Sequence, residues 1–137
     1  MLIIQSLSTV PAMIVSGPND TEVIQGHNIE LNCAAHGYPP PKFVWSFGLQ
    51  EAKPLTGDTR MVVLPGGSLL IQNVRMGDAG VYRCVASNNA GTDTSEALVR
   101  VKGKINDFQR SKAIIYISSL QLLPERNTLT KSISSPL

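Results

Sequence analysis

The chain of 137 residues contains no run of 18 apolar residues, so nothing in it has the length of a membrane-spanning helix. Cysteine and histidine are scarce, with only Cys33, Cys84, His27 and His36. The two cysteines lie over fifty residues apart, and His36 is the one His or Cys close to either, so no four-ligand set of metal-site spacing is present. No Lys/Arg cluster interleaved with aromatics is present, which leaves nucleic-acid binding without support. Neither histidine has a Ser, Cys or Asp placed with it as a triad, and both are expected to be exposed residues at strand ends. An enzyme is therefore not expected, and no cofactor is implied. The net charge of +2 is small and unevenly placed. Through Lys102 there are seven basic and eight acidic residues; from Gly103 onward there are five and two.

Glycine and proline punctuate the sequence at short intervals: Gly17-Pro18, Gly26, Pro39-Pro40-Pro41, Gly48, Gly57, Pro65-Gly66-Gly67, Gly77 and Gly91. The segments between them have strand composition, and their spacing predicts an all-β sandwich. "VPAMIV" (10–15) and "TEVIQ" (21–25) read as a broken first strand, followed by "HNIELNCAAH" (27–36), "KFVWSF" (42–47) and "TRMVVL" (59–64). "SLLIQNV" (68–74), "GVYRCVAS" (80–87) and "TSEALVRVK" (94–102) complete the set, with no helix among them. Alternation assigns one face to the interior. That face carries Ile29, Leu31, Cys33 and Ala35, then Phe43, Trp45 and Phe47, Leu69 and Ile71, Tyr82, Cys84 and Ala86, and finally Ala97, Val99 and Val101.

The flanks differ from this pattern. "MLIIQSLSTVPAMIV" is apolar but has no basic start and is broken by Gln5, Ser6, Ser8 and Thr9, so it is a poor secretory signal. The expected organisation is an N-terminal extension over 1–9, one domain over 10–102, and a tail over 103–137 that is disordered or foreign to the domain. The chain is expected to be a piece of something larger. Within the tail, "AIIYI" (113–117) suits either a strand or a turn of apolar helix.

The residues on the interior face include two cysteines and one tryptophan, in the order Cys33, Trp45, Cys84, with Tyr82 two places before the second cysteine. Taken by themselves, two inward cysteines suit a structural bridge, a redox pair or part of a metal site. Four further patterns accompany them. Gly37 to Trp45 reads G-x-P-x-P-x-x-x-W, and Leu69, Ile71 and Val74 form L-x-I-x-x-V. Asp78 to Cys84 reads D-x-G-x-Y-x-C, and Ala86, Asn88 and Gly91 form A-x-N-x-x-G. Together these resemble an I-set immunoglobulin domain over Val10 to Lys102, of the hemicentin, peroxidasin or neural adhesion receptor kind.

The resemblance implies an immunoglobulin-like β-sandwich of two antiparallel sheets with one inter-sheet disulfide, Cys33–Cys84. It implies that Trp45 packs on that bridge and that Leu69 lies in the core. It also implies that Tyr82 latches a corner shaped by Asp78 and Gly80. The implied function is a non-catalytic protein–protein interaction and spacer module of a secreted matrix or cell-adhesion protein. Two alternatives stand beside it: an intracellular sarcomeric or cytoskeletal module with reduced thiols, and an accessory domain of a larger extracellular enzyme. Partners would be other proteins, homophilic or neighbouring domains included, in an extracellular setting without membrane insertion by this segment. Asn19-Asp20-Thr21 satisfies the N-x-[ST] pattern for N-glycosylation. The prolines of "GYPPPK" (37–42) are expected to stiffen a loop between sheets. "SNNAGT" (87–92) is expected to turn the last hairpin with Asn or Gly at positive φ.

Overall fold

Strands with one apolar face must bury it against another layer, and here the layer is a second sheet. The computed structural model describes residues 8–49 and 53–121. Expectations for residues 1–7 and 122–137 lie outside the described residues. Ten strands follow in order: β1 (Val10–Ser16), β2 (Thr21–Ile24), β3 (Ile29–Leu31), β4 (Ala34–Tyr38), β5 (Lys42–Phe47), β6 (Lys53–Pro54), β7 (Met61–Val63), β8 (Leu69–Ile71), β9 (Gly80–Asn88) and β10 (Gly91–Lys102). One sheet runs β2-β10-β9-β5-β6; the opposing layer is built from β3-β8-β7 and from β1-β4. A short 3-10 turn, Met76–Asp78, leads into β9.

The broken first strand has a physical purpose. β1 pairs antiparallel with β4, whereas β2 pairs in parallel with β10, so the chain changes layer between Ser16 and Thr21. Gly17 permits the change, because a Cβ there would collide with the Ser95 hydroxyl. The stretch 27–36, expected as one strand, is two: β3 and β4 are separated at Asn32 and Cys33, where the strand passes from β8 to β1 as its partner.

The core holds Val23, Leu31, Cys33, Trp45, Leu69, Ile71, Val74, Tyr82, Cys84 and Val99, drawn from both layers. Tyr82, Cys84 and Ala86 are each fully buried, as the alternation along β9 predicts. Cys33 and Cys84 are bonded, with 51 residues of sequence separation, and no cysteine is left over. In the chain-entropy picture, closing a loop of that length stabilises the fold by about 4 kcal/mol.

One local expectation is corrected. The last hairpin needs no positive φ; instead the Asn88 side chain closes it, Oδ1 accepting the Ala90 and Gly91 N–H groups at 3.0 Å each. An Asx-type turn satisfies those donors with ordinary backbone angles. In the segment expected to be disordered or foreign to the domain, residues 107–121 form an α-helix, α1 (Asp107–Gln121). Its start carries a reciprocal cap: Asn106 Oδ1 accepts the Gln109 N–H at 2.7 Å, and Gln109 Oε1 accepts the Asn106 N–H at 3.3 Å. The chain divides into two units at Lys104/Ile105, and α1 belongs to the second.

Candidate interaction face and the corner that braces it

The chemistry-bearing groups of this domain gather at the turn before β9. The buried Tyr82 hydroxyl donates to the Asp78 carbonyl at 2.7 Å, four residues back. The Asp78 carboxylate accepts the Arg75 N–H at 2.7 Å and caps the 3-10 turn. It also accepts a two-pronged contact from Arg60, with Nη1–Oδ2 at 2.8 Å and Nη2–Oδ1 at 3.1 Å. Burial pushes this carboxyl up, but the hydrogen bonds from Arg60 and Arg75 outweigh that and leave it below its ordinary value of 3.8. The hydrogen bond to Asp78 in turn drives the Arg60 guanidinium above its usual range. Burial raises the Tyr82 phenol, with the Asp78 charge adding to it. All three displaced groups are thus bonded to one another or to the turn they form. None of them lines the surface depressions found among the described residues.

The remaining sequence-predicted residues lie in the same assembly. Trp45 sits directly across from Cys84 on neighbouring strands, so indole and disulfide share the interior. Its Nε1–H donates to the Gly67 carbonyl at 2.8 Å. Leu69, fully buried, stands on β8 in the opposite layer. Gly80 has φ +152°, and a Cβ there would lie 2.7 Å from the Phe47 ring, which itself packs on Tyr82 with centroids 4.9 Å apart. Asn19 is apart from all of these, exposed in the 17–20 crossover. His27 and His36 are both exposed.

Sequence reasoning missed Arg60 altogether, and for Asn88, placed in a motif and a turn, it missed the long-range contacts. Arg60 lies 18 positions before Asp78 in a segment read only as strand. Asn88 joins three parts of the chain: Nδ2 donates to the Val10 carbonyl at 2.7 Å and the Pro39 carbonyl at 3.0 Å, and Oδ1 accepts the Ala12 N–H at 3.2 Å. A lone Arg and one of two adjacent Asn carry no local signal of such contacts.

What faces outward on the five-stranded sheet is the counterpart of the core alternation. Val44 stands opposite Val85, and Val81 opposite Leu98. Val44 is exposed, and the other three are half-buried. Between the two apolar pairs lies an ion pair, Arg83 with Glu96, at 3.1 Å. This outward face thus mixes apolar and charged side chains. An open depression lined by Leu49, Val81, Glu96, Ala97 and Leu98 continues it toward the sheet edge. Among the described residues, no three His, Cys, Asp or Glu side chains gather as a metal site, and no helix is long and apolar enough to cross a membrane.

Comparison with known proteins adds the following. The family described as "Immunoglobulin domain" matches residues 11–88. Hemicentin-2 of Mus musculus is 37% identical over 140 residues, covering 93% of this chain and 3% of the relative. The cell adhesion molecule DSCAM of Homo sapiens is 40% identical over 111 residues, 76% of this chain and 6% of the relative. Peroxidasin homolog of Homo sapiens is 39% identical over 92 residues, 67% of this chain and 6% of the relative. The chain thus spans only a small fraction of the curated relatives it matches. Among solved structures, neural ectodermal development factor IMP-L2 superposes with a TM-score of 0.65 at 28% identity, over 76% of this chain and 48% of that one. The titin M10–obscurin-like 1 Ig complex gives 0.62 at 31% identity, over 71% of this chain and 99% of that one.

Proposed function

The chain belongs to the immunoglobulin-domain family, and we propose that it serves as a non-catalytic interaction and spacer module of a secreted matrix or cell-adhesion protein. The observation that carries this reading is the division of labour across the five-stranded sheet. Its inner side chains and every group with a displaced pKa are engaged within the fold. Its outer side chains, Val44, Val85, Val81 and Leu98 around the Arg83–Glu96 pair, are exposed or half-buried on the other face. A rigid body held by an internal disulfide presents that face at a fixed position, and contact with another protein is what such a face can do. The likeness to hemicentin-2 and DSCAM supports the matrix or adhesion setting. A buried disulfide between Cys33 and Cys84 supports an oxidising compartment.

A second reading is an intracellular module with reduced thiols, and the likeness to the titin M10–obscurin-like 1 Ig complex supports it. One experiment separates the two. The chain is produced behind a signal peptide in animal cells, unfolded without reductant, and titrated for thiols. The extracellular reading expects none; two free thiols per chain overturn it. The interaction face is tested by displaying the secreted chain as a multivalent probe on a library of cell-surface and matrix proteins. Binding that Val44→Glu abolishes while the unfolding midpoint stays unchanged supports the reading; binding that survives Val44→Glu and Leu98→Glu places the contact elsewhere.

A further inference from the structure

The tripeptide Asn19-Asp20-Thr21 is absorbed neither by the core nor by the outward sheet face. It closes the crossover from one layer to the other and begins β2. Each of its side chains has a separate fate. Asp20 turns toward β10, where Oδ1 accepts the Leu98 N–H at 2.8 Å. Thr21 is half-buried at the start of β2, and its hydroxyl donates to the Asn19 carbonyl at 2.8 Å. Asn19 is exposed, and among the described residues no hydrogen bond engages its carboxamide. A substituent on that nitrogen would project into solvent without breaking a native contact. None of the other asparagines has Ser or Thr two places on, so the motif occurs once in the chain.

Its position has a second consequence. β2 is the terminal strand of the five-stranded sheet and spends one edge on β10; among the described residues no strand pairs with its other edge. An open edge is a template for pairing with another chain. At the far end of the same sheet, β6 (Lys53–Pro54) is a charged, proline-bearing edge. β2 has no proline, and its single charge, Glu22, is tied to Lys102 at 2.6 Å.

We propose that Asn19 is an N-linked glycan acceptor and that the glycan guards the open edge of β2. The proposal rests on the extracellular reading above. In the transfer, Asn19 Nδ2 forms a bond to the anomeric carbon of an oligosaccharide carried on a lipid pyrophosphate. The bond from that carbon to the pyrophosphate oxygen breaks and the pyrophosphate leaves with the electron pair. The amide gives up one proton, and nothing is oxidised or reduced.

The test uses the full chain behind a signal peptide in animal cells. The secreted protein is weighed intact, treated with peptide N-glycosidase, and mapped. The expected result is an increment that the enzyme removes, leaving Asp at position 19. Asn19→Gln and Thr21→Ala should lose the increment, and Thr21→Ser should keep it. A secreted chain with no free thiols and no increment overturns this proposal and leaves the extracellular reading standing. Free thiols overturn that reading, and the proposal with it. For the edge, sedimentation compares glycosylated wild type with Asn19→Gln from the same cells. A severalfold fall in the concentration at which the variant dimerises is expected; identical sedimentation overturns the guarding role.

Discussion

Removing the Asp78 carboxylate should be among the most damaging single changes to this domain outside the disulfide. The side chain is buried to 9% exposure and its partner Arg60 to 15%, and they meet through two short contacts, with a third from the Arg75 N–H. Hydrogen bonds to charged groups contribute about 1.5–3 kcal/mol each but do not add when they share one acceptor group. Breaking a fully buried pair from one side costs about 3–5 kcal/mol, because the remaining charge is stranded. Here Arg60 keeps other acceptors, Asp58 Oδ2 at 2.9 Å and the Asn73 carbonyl at 3.1 Å, so the lower end applies. Asp78→Ala is therefore expected to cost about 3 kcal/mol, or roughly 15 °C in Tm for a domain of this size. Denaturant unfolding followed by fluorescence of Trp45, the one tryptophan and wholly buried, reads the loss directly. A cycle of Arg60→Ala, Asp78→Ala and the double variant should give a coupling of about 2 kcal/mol. The sign of the pH dependence follows from the lowered carboxyl. A folded-state value below the ordinary 3.8 means that the contribution is present above it and lost as pH falls through the folded value. The gap between wild type and Asp78→Asn should hold at neutral pH and close in acid. A coupling under about 0.5 kcal/mol, or a gap that stays constant into acid, would refute the reasoning.

Two further outcomes follow from the same geometry. Trp45→Phe removes the donor to the buried Gly67 carbonyl and leaves a gap beside the disulfide, a loss of about 2–4 kcal/mol by calorimetry; a loss under about 1 kcal/mol would mean that the indole nitrogen and its extra ring are not used. Gly80→Ala places a methyl 2.7 Å from the Phe47 ring at φ +152°, costing about 2 kcal/mol. Combining it with Phe47→Leu should make the two losses less than additive, and strict additivity would point to backbone strain alone.

How much of this was legible beforehand depended on how local each signal is. The alternation along 80–87 correctly placed Tyr82, Cys84 and Ala86 inside, because a strand's two faces are written in residue parity. The Leu69 and Ile71 pair was readable for the same reason. The split at Asn32–Cys33 was not, since the strand keeps its parity while it changes partners. The cap on α1 was readable in principle as Asn106 and Gln109, three residues apart, but the β-branched run in 113–117 drew attention away from it. Arg60 offered nothing local at all. Its meaning depends on a carboxylate 18 residues away across a turn.

The sequence by itself determined which face of the central strands would turn inward, which two cysteines were available, and that the domain would be an all-β sandwich. Periodicity and composition are enough for that, because burial along a strand is set by position in the chain. The tertiary structure decided what those residues are next to. It gave Asp78 to Arg60, Asn88 to the first strand and the proline loop, and Trp45 to the Gly67 carbonyl. It also left Asn19 facing solvent beside an unpaired edge. Those outcomes require two layers to be packed at a given register, and register is a property of strands meeting, which no single segment contains.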